Sequence, residues 1–434
     1  PEMMDAAIPI ATTTHQGAQA IAFDAVGRNA ILADANFAGG RYHQGKVPAE
    51  GLAIARMIGH ITYLSEESMR QKFGRELRDA EKYSYDFDSE FAVETYLDHQ
   101  GQSFVDRFDA NSYLYITKAA DYFDLPRDYG SLKEAFSGVK ARFLVVSFSS
   151  DWLFTPAQSE AMVDALVANN KDVSFCNITS DYGHDAFLLE TQTLGAFLSS
   201  FLRATHRPGV KAGPLGDCCN GRGSAAGIQP AQRVRVDYEL IESLIRPEST
   251  VLDVGCGDGE LLARLTNDKG IRGKGIELDE SLVLGCVCRG IAIIQRDIDR
   301  ELSSYGDQSF DYVILSQTLQ TIKDPERVFR ELLRVGRKVI VSFPNFAHWR
   351  CRLQLLLGGR SPVTRQLPFR WYNSPNIHFF SLKDFDEFCR QIGVVVEERI
   401  PLVETSVSPI RFGANLLAEQ AIYVTSRGTT DGRA

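Results

Sequence analysis

The sequence has no hydrophobic run long enough to cross a bilayer, few cysteines and no excess of basic residues. Without such a run, the chain is not expected to be a membrane protein. The eight cysteines form no paired C-x-x-C set, so neither zinc nor another metal is expected. A chain of this size does not need disulfides, which favours a reduced, cytoplasmic protein. The net charge of −9 argues against general binding to nucleic acid.

A stretch rich in glycine, proline and alanine separates two halves of different charge. A chain of 434 residues exceeds the usual size of one domain. Residues 206–232 show no hydrophobic period and predict a linker between domains at 1–205 and 233–425, followed by a tail at 426–434. The formal charge is −11 over residues 1–205 and +2 over residues 206–434. The halves could attract each other, although two independently solvated domains are favoured.

Near the end of the first half, strands and helices alternate. Residues 142–148 are continuously apolar and predict a strand, after which comes Asp151. Residues 156–170 have the pattern of an amphipathic helix, and the strand "DVSFCNI" comes before His184. The order strand, Asp, helix, strand, His is an α/β arrangement. In α/β-hydrolases the acid and the base of the catalytic triad follow late strands in this order.

Asp151 and His184 therefore fit the acid and the base of a Ser-His-Asp triad. The imidazole would accept the proton of a serine hydroxyl, and the carboxylate would hold the imidazole in one tautomer. The alternative is that Asp151 caps a helix and His184 is a surface loop residue. No serine in the chain lies in a G-x-S-x-G element, so the nucleophile is expected to precede Pro1.

Several long segments of residues 1–205 resemble homoserine O-acyltransferases, the MetX branch of the α/β-hydrolase fold. The segments are "AIPIATTTHQGAQAIAFDAVGRNAILADANFAGG", "GLAIARMIGHITYLSEESMRQKFGR", "FDANSYLYITKAADYFDL", "SSDWLFTPAQSEAMVDAL" and "GHDAFLLE". The resemblance implies acyl transfer from acyl-CoA, either acetyl-CoA or succinyl-CoA, to L-homoserine. It places Asp151 and His184 in the triad. It also implies a partial α/β-hydrolase domain, because the first strands and the oxyanion hole of that family have no counterpart here.

The same resemblance implies how the substrate is held. Arg56 would bind the homoserine carboxylate, which suits a guanidinium fork, and Asp185 would bind the ammonium group. The alternatives are a salt bridge on a helix surface for Arg56 and a loop cap for Asp185. Residues 28–140 would form a helical lid, which in this family also builds a homodimer.

The segment "STVLDVGCGDGELLARL" at residues 249–265 is the clearest local motif of the chain. An apolar strand ends at Asp253, and a glycine-rich loop comes before a helix, so that the backbone can approach a ligand closely. The pattern D-x-G-x-G-x-G indicates S-adenosylmethionine rather than a dinucleotide. The candidate cofactor-binding residues of this segment are Asp253, Gly255, Cys256, Gly257 and Gly259.

Two further predicted strands end in acidic residues. Glu277 ends "GKGIE" and is placed to hold a ribose diol, and Asp297 ends "IAIIQRD", near the expected adenine amino group. With "FDYVILSQTLQ" and "KVIVSFPN" as further strands, the pattern predicts a Rossmann-like fold of the S-adenosylmethionine-dependent methyltransferases. A fold of this kind with an empty site is the alternative.

The second half resembles the methionine biosynthesis protein MetW family from about Arg235 to about Tyr423. The segments "VDYELIESLI", "VLDVGCGDGELL" and the long run from "FDYVILSQTLQ" to "LKDFDEFC" carry this resemblance. MetW proteins partner the homoserine acyltransferase, and no methyl acceptor is implied. The arginines of residues 348–371 could contact nucleic acid, but a solvated or partner-binding face is favoured.

The leading hypothesis is an acyltransferase of methionine biosynthesis fused to its accessory domain. The linker would raise the effective concentration of the second domain, favouring an intramolecular contact. That domain would stabilise or regulate the first, with S-adenosylmethionine as the signal. The alternatives are a methyltransferase with an inactive acyltransferase remnant, and a non-catalytic subunit that completes an acyltransferase made elsewhere.

Overall fold

A computed structural model describes residues 4–42, 45–78, 82–85, 87–206, 236–299, 302–403 and 413–428. The chain divides into two compact units, Pro1–Ala196 and Phe197–Ala434, which we call unit 1 and unit 2. From residue 207 on, the predicted linker lies outside the described residues, and so does the predicted tail from residue 429 on. Among the described residues, no helix is both long enough and apolar enough to cross a membrane.

The strands of unit 1 are parallel and are built from the apolar runs of the sequence. They are β1 (Ala6–Ala7), β2 (Arg142–Phe148) and β3 (Val173–Ile178), in the order β1-β2-β3. The six residues of β2 after Arg142 are all buried, as expected of a strand covered on both faces. Strand β1 is short, and a single bridge from Ile10 to Val146 extends its pairing with β2 beyond Ala7.

Helices fill most of unit 1, and the first seven fall largely within the predicted lid. They are α1 (Ala18–Ala33), α2 (Ala49–Tyr63), α3 (Glu66–Phe73), α4 (Ala92–Val105), α5 (Ala110–Tyr122), α6 (Leu125–Tyr129) and α7 (Leu132–Ala135). The side chains of Ser65 and Asp109 cap α3 and α5 by accepting backbone N–H groups. Ile31 of α1, Leu52 of α2 and Phe104 of α4 belong to one buried cluster.

Three more helices follow β2 in the chain: α8 (Pro156–Ala168), α9 (Ala186–Leu189) and α10 (Thr191–His206). Helix α8 connects β2 to β3, and this crossover is what allows the two strands to run parallel. Thr155 and Gln158 form a capping box at its start, with Pro156 in the first turn. The carboxyl ends of β2 and β3 consequently lie at the same edge of the sheet.

Unit 2 contains a twisted sheet of seven strands among its described residues. They are β4 (Thr250–Val254), β5 (Arg272–Glu277), β6 (Ala292–Gln295), β7 (Phe310–Ser316), β8 (Gly336–Pro344), β9 (Val394–Leu402) and β10 (Gln420–Arg427). Their order is β6-β5-β4-β7-β8-β10-β9, and β10 is antiparallel to both of its neighbours. The chain winds in opposite directions on the two sides of β4, so the ligand-binding switch point lies at its carboxyl end.

The helices of unit 2 are α11 (Val236–Leu244), α12 (Glu260–Lys269), α13 (Glu280–Cys288), α14 (Pro325–Val335), α15 (Trp349–Gly358), α16 (Leu382–Gln391) and α17 (Ala414–Leu417). The predicted α/β class, with a Rossmann-like second part, is confirmed. Two strand ends differ from the prediction by more than one residue. Strand β6 ends at Gln295, so Asp297 lies in the loop that follows, and β7 ends at Ser316 rather than at Gln320.

Candidate active site

The edge of the sheet where β2 and β3 end brings Asp151 and His184 together. His184 Nδ1 lies 2.9 Å from Asp151 Oδ2. Asp151 is 2% exposed, and its second oxygen, Oδ1, accepts the backbone N–H groups of Leu153 and Phe154. The carboxylate therefore contacts the imidazole and also holds its own turn. If the imidazole is neutral with its proton on Nδ1, Nε2 carries the lone pair that can accept a proton.

Aromatic side chains surround the His184 ring. The centroids of Tyr63, Phe154 and Phe187 lie 5.9, 5.1 and 5.4 Å from the centroid of the imidazole. Such contacts restrict the rotation of the ring. The Asp151 hydrogen bond and these three rings therefore fix one orientation of His184.

The loop that carries His184 is docked onto the end of α2. Gly183 has a φ of +73°, and a Cβ at this position would lie 2.5 Å from the backbone nitrogen of Ser65. The hydroxyl of Ser65 donates to the carbonyl of Asp181, and Trp152 Nε1 donates to the carbonyl of Leu64 at 2.9 Å. Sequence reasoning did not find these supporting residues, because each contact joins segments that are far apart in the chain.

Arg56 lies on α2, and Asp185 lies on the His184 loop that packs against the end of this helix. The guanidinium carbon of Arg56 lies 4.8 Å from the Phe104 ring centroid and 5.5 Å from that of Tyr63. The guanidinium makes no ion pair among the described residues, and its buried Nε has no hydrogen-bond partner. A surface salt bridge, the alternative for Arg56, is therefore not seen in the described part of the chain.

Asp185 occupies the N-cap position of α9, but its side chain accepts no capping hydrogen bond from that helix. Burial raises the pKa of Asp185, while His184, Lys72 and Arg56 act in the opposite direction. The carboxylate is thus partly desolvated and lies close enough to Arg56 for the two charges to interact. This arrangement brings a cation and an anion to the neighbourhood of the His184 imidazole.

The glycine-rich loop of unit 2 lies at the switch point after β4. Gly255, Gly257 and Gly259 have φ values of +72°, +60° and +77°, which L residues rarely adopt. A Cβ at Gly255 would lie 2.5 Å from Thr318 Oγ1, and one at Gly259 would lie 2.9 Å from Cys286 Sγ. A Cβ at Gly257 would meet nothing within 4 Å, so the backbone there is open to a ligand.

Glu277 lies against this loop, and both Glu277 and Asp297 also accept backbone hydrogen bonds. Glu277 Oε2 accepts the N–H of Gly257 at 2.9 Å, and Oε1 accepts those of Leu278 and Asp279 at 2.8 and 3.1 Å. Each carboxylate oxygen has a second lone pair, so hydroxyl groups of a ribose could still donate to Glu277. Asp297 Oδ1 accepts the N–H of Asp299 at 2.9 Å in the loop after β6.

Asp253 and Cys256 are both buried. Asp253 is 2% exposed at the end of β4. Cys256 Sγ lies 3.8 Å from Cys286 Sγ, a contact that the sequence did not indicate, and this contact and burial raise the pKa of Cys256. The Cys256 thiol packs against Cys286, so any contact of Cys256 with a cofactor would be made by its backbone atoms. In the described parts of the chain, no three His, Cys, Asp or Glu side chains are grouped to hold a metal ion.

The two halves have separate relatives, and a bifunctional protein is similar to both. Residues 235–425 match the family model of the methionine biosynthesis protein MetW. A bifunctional methionine biosynthesis protein MetXA/MetW from Rhodopirellula baltica is 39% identical over 412 residues, which cover 92% of this chain and 63% of that protein. Both predicted resemblances are confirmed.

A homoserine O-acetyltransferase from Solidesulfovibrio magneticus is 55% identical over 205 residues, which cover 46% of this chain and 52% of that enzyme. Among solved structures, a homoserine O-acetyltransferase from Bacillus anthracis is similar with a TM-score of 0.41 and 24% identity, over 44% of this chain and 51% of that chain. The chain spans 63% of the length of the bifunctional relative and about half the length of the acetyltransferase relatives.

Proposed function

We propose that unit 1 takes part in transferring an acyl group from acetyl-CoA or succinyl-CoA to the hydroxyl of L-homoserine. The observation that carries the proposal is the 2.9 Å contact between His184 Nδ1 and Asp151 Oδ2, next to the docked end of the Arg56 helix. The relationship to the homoserine O-acetyltransferases supports the substrate class.

In this mechanism His184 accepts one proton and donates one proton in each half-reaction. Its Nε2 first takes the proton of a serine hydroxyl while the serine oxygen attacks the thioester carbonyl, and it then protonates the departing thiolate of CoA. In the second half, Nε2 takes the proton of the homoserine hydroxyl, which attacks the acyl-serine, and returns a proton to the serine oxygen. These 434 residues contain no G-x-S-x-G element, so no residue of this chain is assigned as the nucleophile.

Asp151 and the substrate-binding pair have distinct proposed roles. Asp151 holds the Nδ1–H tautomer and stabilises the imidazolium that forms in each step. Arg56 binds the homoserine carboxylate, and Asp185 binds the ammonium group, so that the hydroxyl end of the substrate is directed toward His184. The lid formed by residues 28–140 is proposed to pair two copies of the chain.

We further propose that unit 2 binds S-adenosylmethionine and regulates the acyltransferase half. The open backbone at Gly257 and the carboxylate of Glu277 beside it support a nucleoside ligand at this loop. Gly255, Gly259 and Asp253 would shape the loop, and Asp297 would lie near the adenine. An intramolecular contact between the units and a cytoplasmic location remain predictions.

Isothermal titration with S-adenosylmethionine tests the second site. Binding that Glu277→Gln weakens would support it, whereas no heat at high ligand concentration would contradict it. The alternative function, methyl transfer, is favoured by the same open loop. Transfer of a radiolabelled methyl group to a cellular acceptor would support that alternative.

The acyltransferase proposal is tested on the product of the complete reading frame. O-acyl-L-homoserine is quantified by mass spectrometry after incubation with L-homoserine and either acetyl-CoA or succinyl-CoA. His184→Ala is expected to abolish the product, while His99→Ala, at an exposed position of α4, should leave it unchanged. Absence of product from the unaltered protein with both donors would contradict the proposal.

A further inference from the structure

Two polar side chains of α2 each have a buried nitrogen atom without a hydrogen-bond partner among the described residues. They are Arg56 and His60, which are one turn apart and therefore on the same side of the helix. His60 is 8% exposed. Neither Arg56 Nε nor His60 Nε2 has a hydrogen-bond partner among the described residues. Buried polar atoms are seldom left unpaired unless a ligand or water completes them.

The contacts of His60 determine which of its nitrogens carries the proton. Burial and the cations Arg56, Arg107 and Lys72 lower the pKa of His60 to about 4, so the ring is neutral near pH 7. The hydroxyl of Tyr96 lies 3.1 Å from His60 Nδ1, its one hydrogen-bond partner in the described structure. A phenol must place its proton on an acceptor, so we assign Nδ1 as that acceptor and the ring proton to Nε2.

His60 Nε2–H is therefore a donor that lacks an acceptor, like Arg56 Nε–H. The charges acting on this part of the helix are the three cations named above, and Asp185 lies across from them on the His184 loop. Two unpaired donors in a positive environment need an anion rather than a cation or an apolar group.

This donor pair lies beside the candidate active site. The Tyr63 ring centroid is 5.9 Å from that of His60 and 5.9 Å from that of His184. Tyr63 thus joins the two histidines through direct contacts. An anion held by Arg56 and His60 would lie within the reach of one small amino acid from the reacting imidazole.

We propose that His60 Nε2–H is a second donor to the carboxylate of the amino-acid substrate, beside Arg56, and that Tyr96 is the positioning residue that fixes its tautomer. This inference rests on the proposed function of the site. His60 would add a neutral donor to the charged guanidinium of Arg56. The pocket would therefore require a substrate carboxylate and discriminate against substrates in which that group is uncharged.

Calorimetric titration of the full 434-residue chain tests the proposal with two ligands. They are L-homoserine and L-homoserinamide, which keeps the hydroxyl and ammonium groups but has no carboxylate. His60→Phe keeps an aromatic ring but removes both nitrogens, and it should weaken L-homoserine binding by about tenfold or more. The affinity for L-homoserinamide should change much less, because the lost donor faces the carboxylate.

Two further variants distinguish direct donation by His60 from positioning of His60 by Tyr96. His60→Gln keeps an N–H donor and should recover part of the lost affinity, and Tyr96→Phe should weaken L-homoserine binding while leaving His60 in place. His99→Phe, at an exposed position of α4, is the matched control and should bind like the unaltered chain.

The outcomes distinguish this inference from the proposed function. If the unaltered chain binds no L-homoserine, the proposed function fails and this inference fails with it. If the chain binds L-homoserine but His60→Phe loses affinity equally for both ligands, or for neither, only the role of His60 is overturned. If His60→Phe does not fold, Tyr96→Phe decides, since unchanged affinity for L-homoserine would overturn the proposal.

Discussion

At the scale of single residues, Asp151 makes two kinds of contact with one carboxylate. Oδ2 meets His184 Nδ1, and Oδ1 accepts the N–H groups of Leu153 and Phe154. The sequence presented a helix cap and a triad acid as alternatives for Asp151. In the structure Thr155 is the cap of α8, and Asp151 Oδ1 holds the turn before that helix. The catalytic role of Asp151 remains the proposal, and it can be tested without disturbing the turn.

Asp151→Asn is expected to lower kcat for acyl transfer by about 10⁴-fold, as in a serine-protease triad with the equivalent change. The asparagine retains an oxygen for the two backbone N–H groups but favours the wrong imidazole tautomer. The measurement is the rate of CoA release by the product of the complete reading frame. A thermal melt should show that the fold is kept.

Asp128→Asn is the matched control, because Asp128 is an exposed residue of α6. It should retain the full rate. A rate within tenfold of the unaltered protein for Asp151→Asn would show that Asp151 has only the turn-holding role.

Sequence reasoning found Asp151 and His184 because each follows a strongly apolar strand. It did not find Trp152 and Ser65 as supports of the site, since their partners Leu64 and Asp181 lie 88 and 116 residues away. A contact of this kind depends on how helices pack and leaves no local pattern. His60 was missed for the same reason, because its environment comes from three different segments.

At the scale of elements, the important junction is the one between the end of α2 and the loop of His184. Gly183 allows the loop to approach the backbone of Tyr63 to Ser65 closely, with a positive φ. The resemblance placed the residues of α2 in a helical lid over residues 28–140, but the sequence gave no indication of what this helix packs against. The position of Arg56 relative to His184 depends on that junction.

Gly183→Ala is expected to destabilise the chain by more than about 1 kcal/mol, because an L residue is strained at this φ and its Cβ would clash with backbone atoms. Urea denaturation followed by circular dichroism measures the change. Gly195→Ala is the control, since Gly195 is an exposed helical residue with open space around it.

The control should be neutral or should stabilise the chain by up to about 1 kcal/mol. Equal urea midpoints for Gly183→Ala and Gly195→Ala would contradict the close approach of the His184 loop to the end of α2. Loss of L-homoserine binding only in Gly183→Ala would agree with the junction's role in placing the site.

A second pair of elements, α1 and α5, contains a carboxyl pair that makes stability depend on pH. Burial and the neighbouring Asp121 raise the pKa of Asp24 to about 6, and Arg28, which pairs with Asp121 at 2.6 Å, opposes this shift. The folded state therefore binds a proton more tightly at Asp24 than the unfolded chain does. Its contribution to stability is present at low pH and is lost as the pH rises through about 6.

Asp24→Asn removes this titration while keeping a donor for Asp121. The variant should melt at a higher temperature than the unaltered chain at pH 8, and the difference should shrink toward pH 4.5. Thermal melts at pH 4.5, 6 and 8 provide the measurement. A difference that does not vary with pH would contradict the raised pKa.

At the scale of the whole molecule, the sequence predicted two α/β parts that differ in charge and resemble two different families. The glycine-rich loop and the acidic strand ends indicated the fold class of unit 2, because nucleoside-binding doubly wound sheets have these features near the switch point. The order β6-β5-β4-β7-β8-β10-β9 was not predictable, since pairing between distant strands leaves no local signal. Nor did the sequence indicate that Glu277 already accepts three backbone N–H groups.

The most direct measurement of the central claim is the titration of L-homoserine into the 434-residue chain, two variants of the site and two control variants. The unaltered chain should bind L-homoserine. Arg56→Gln and Asp185→Asn should each weaken this binding by about tenfold or more, because each variant removes one charge that pairs with the substrate. Arg127→Gln and Asp128→Asn, at exposed positions of α6, should bind normally. No binding by the unaltered chain, or one affinity shared by all five proteins, would contradict the account.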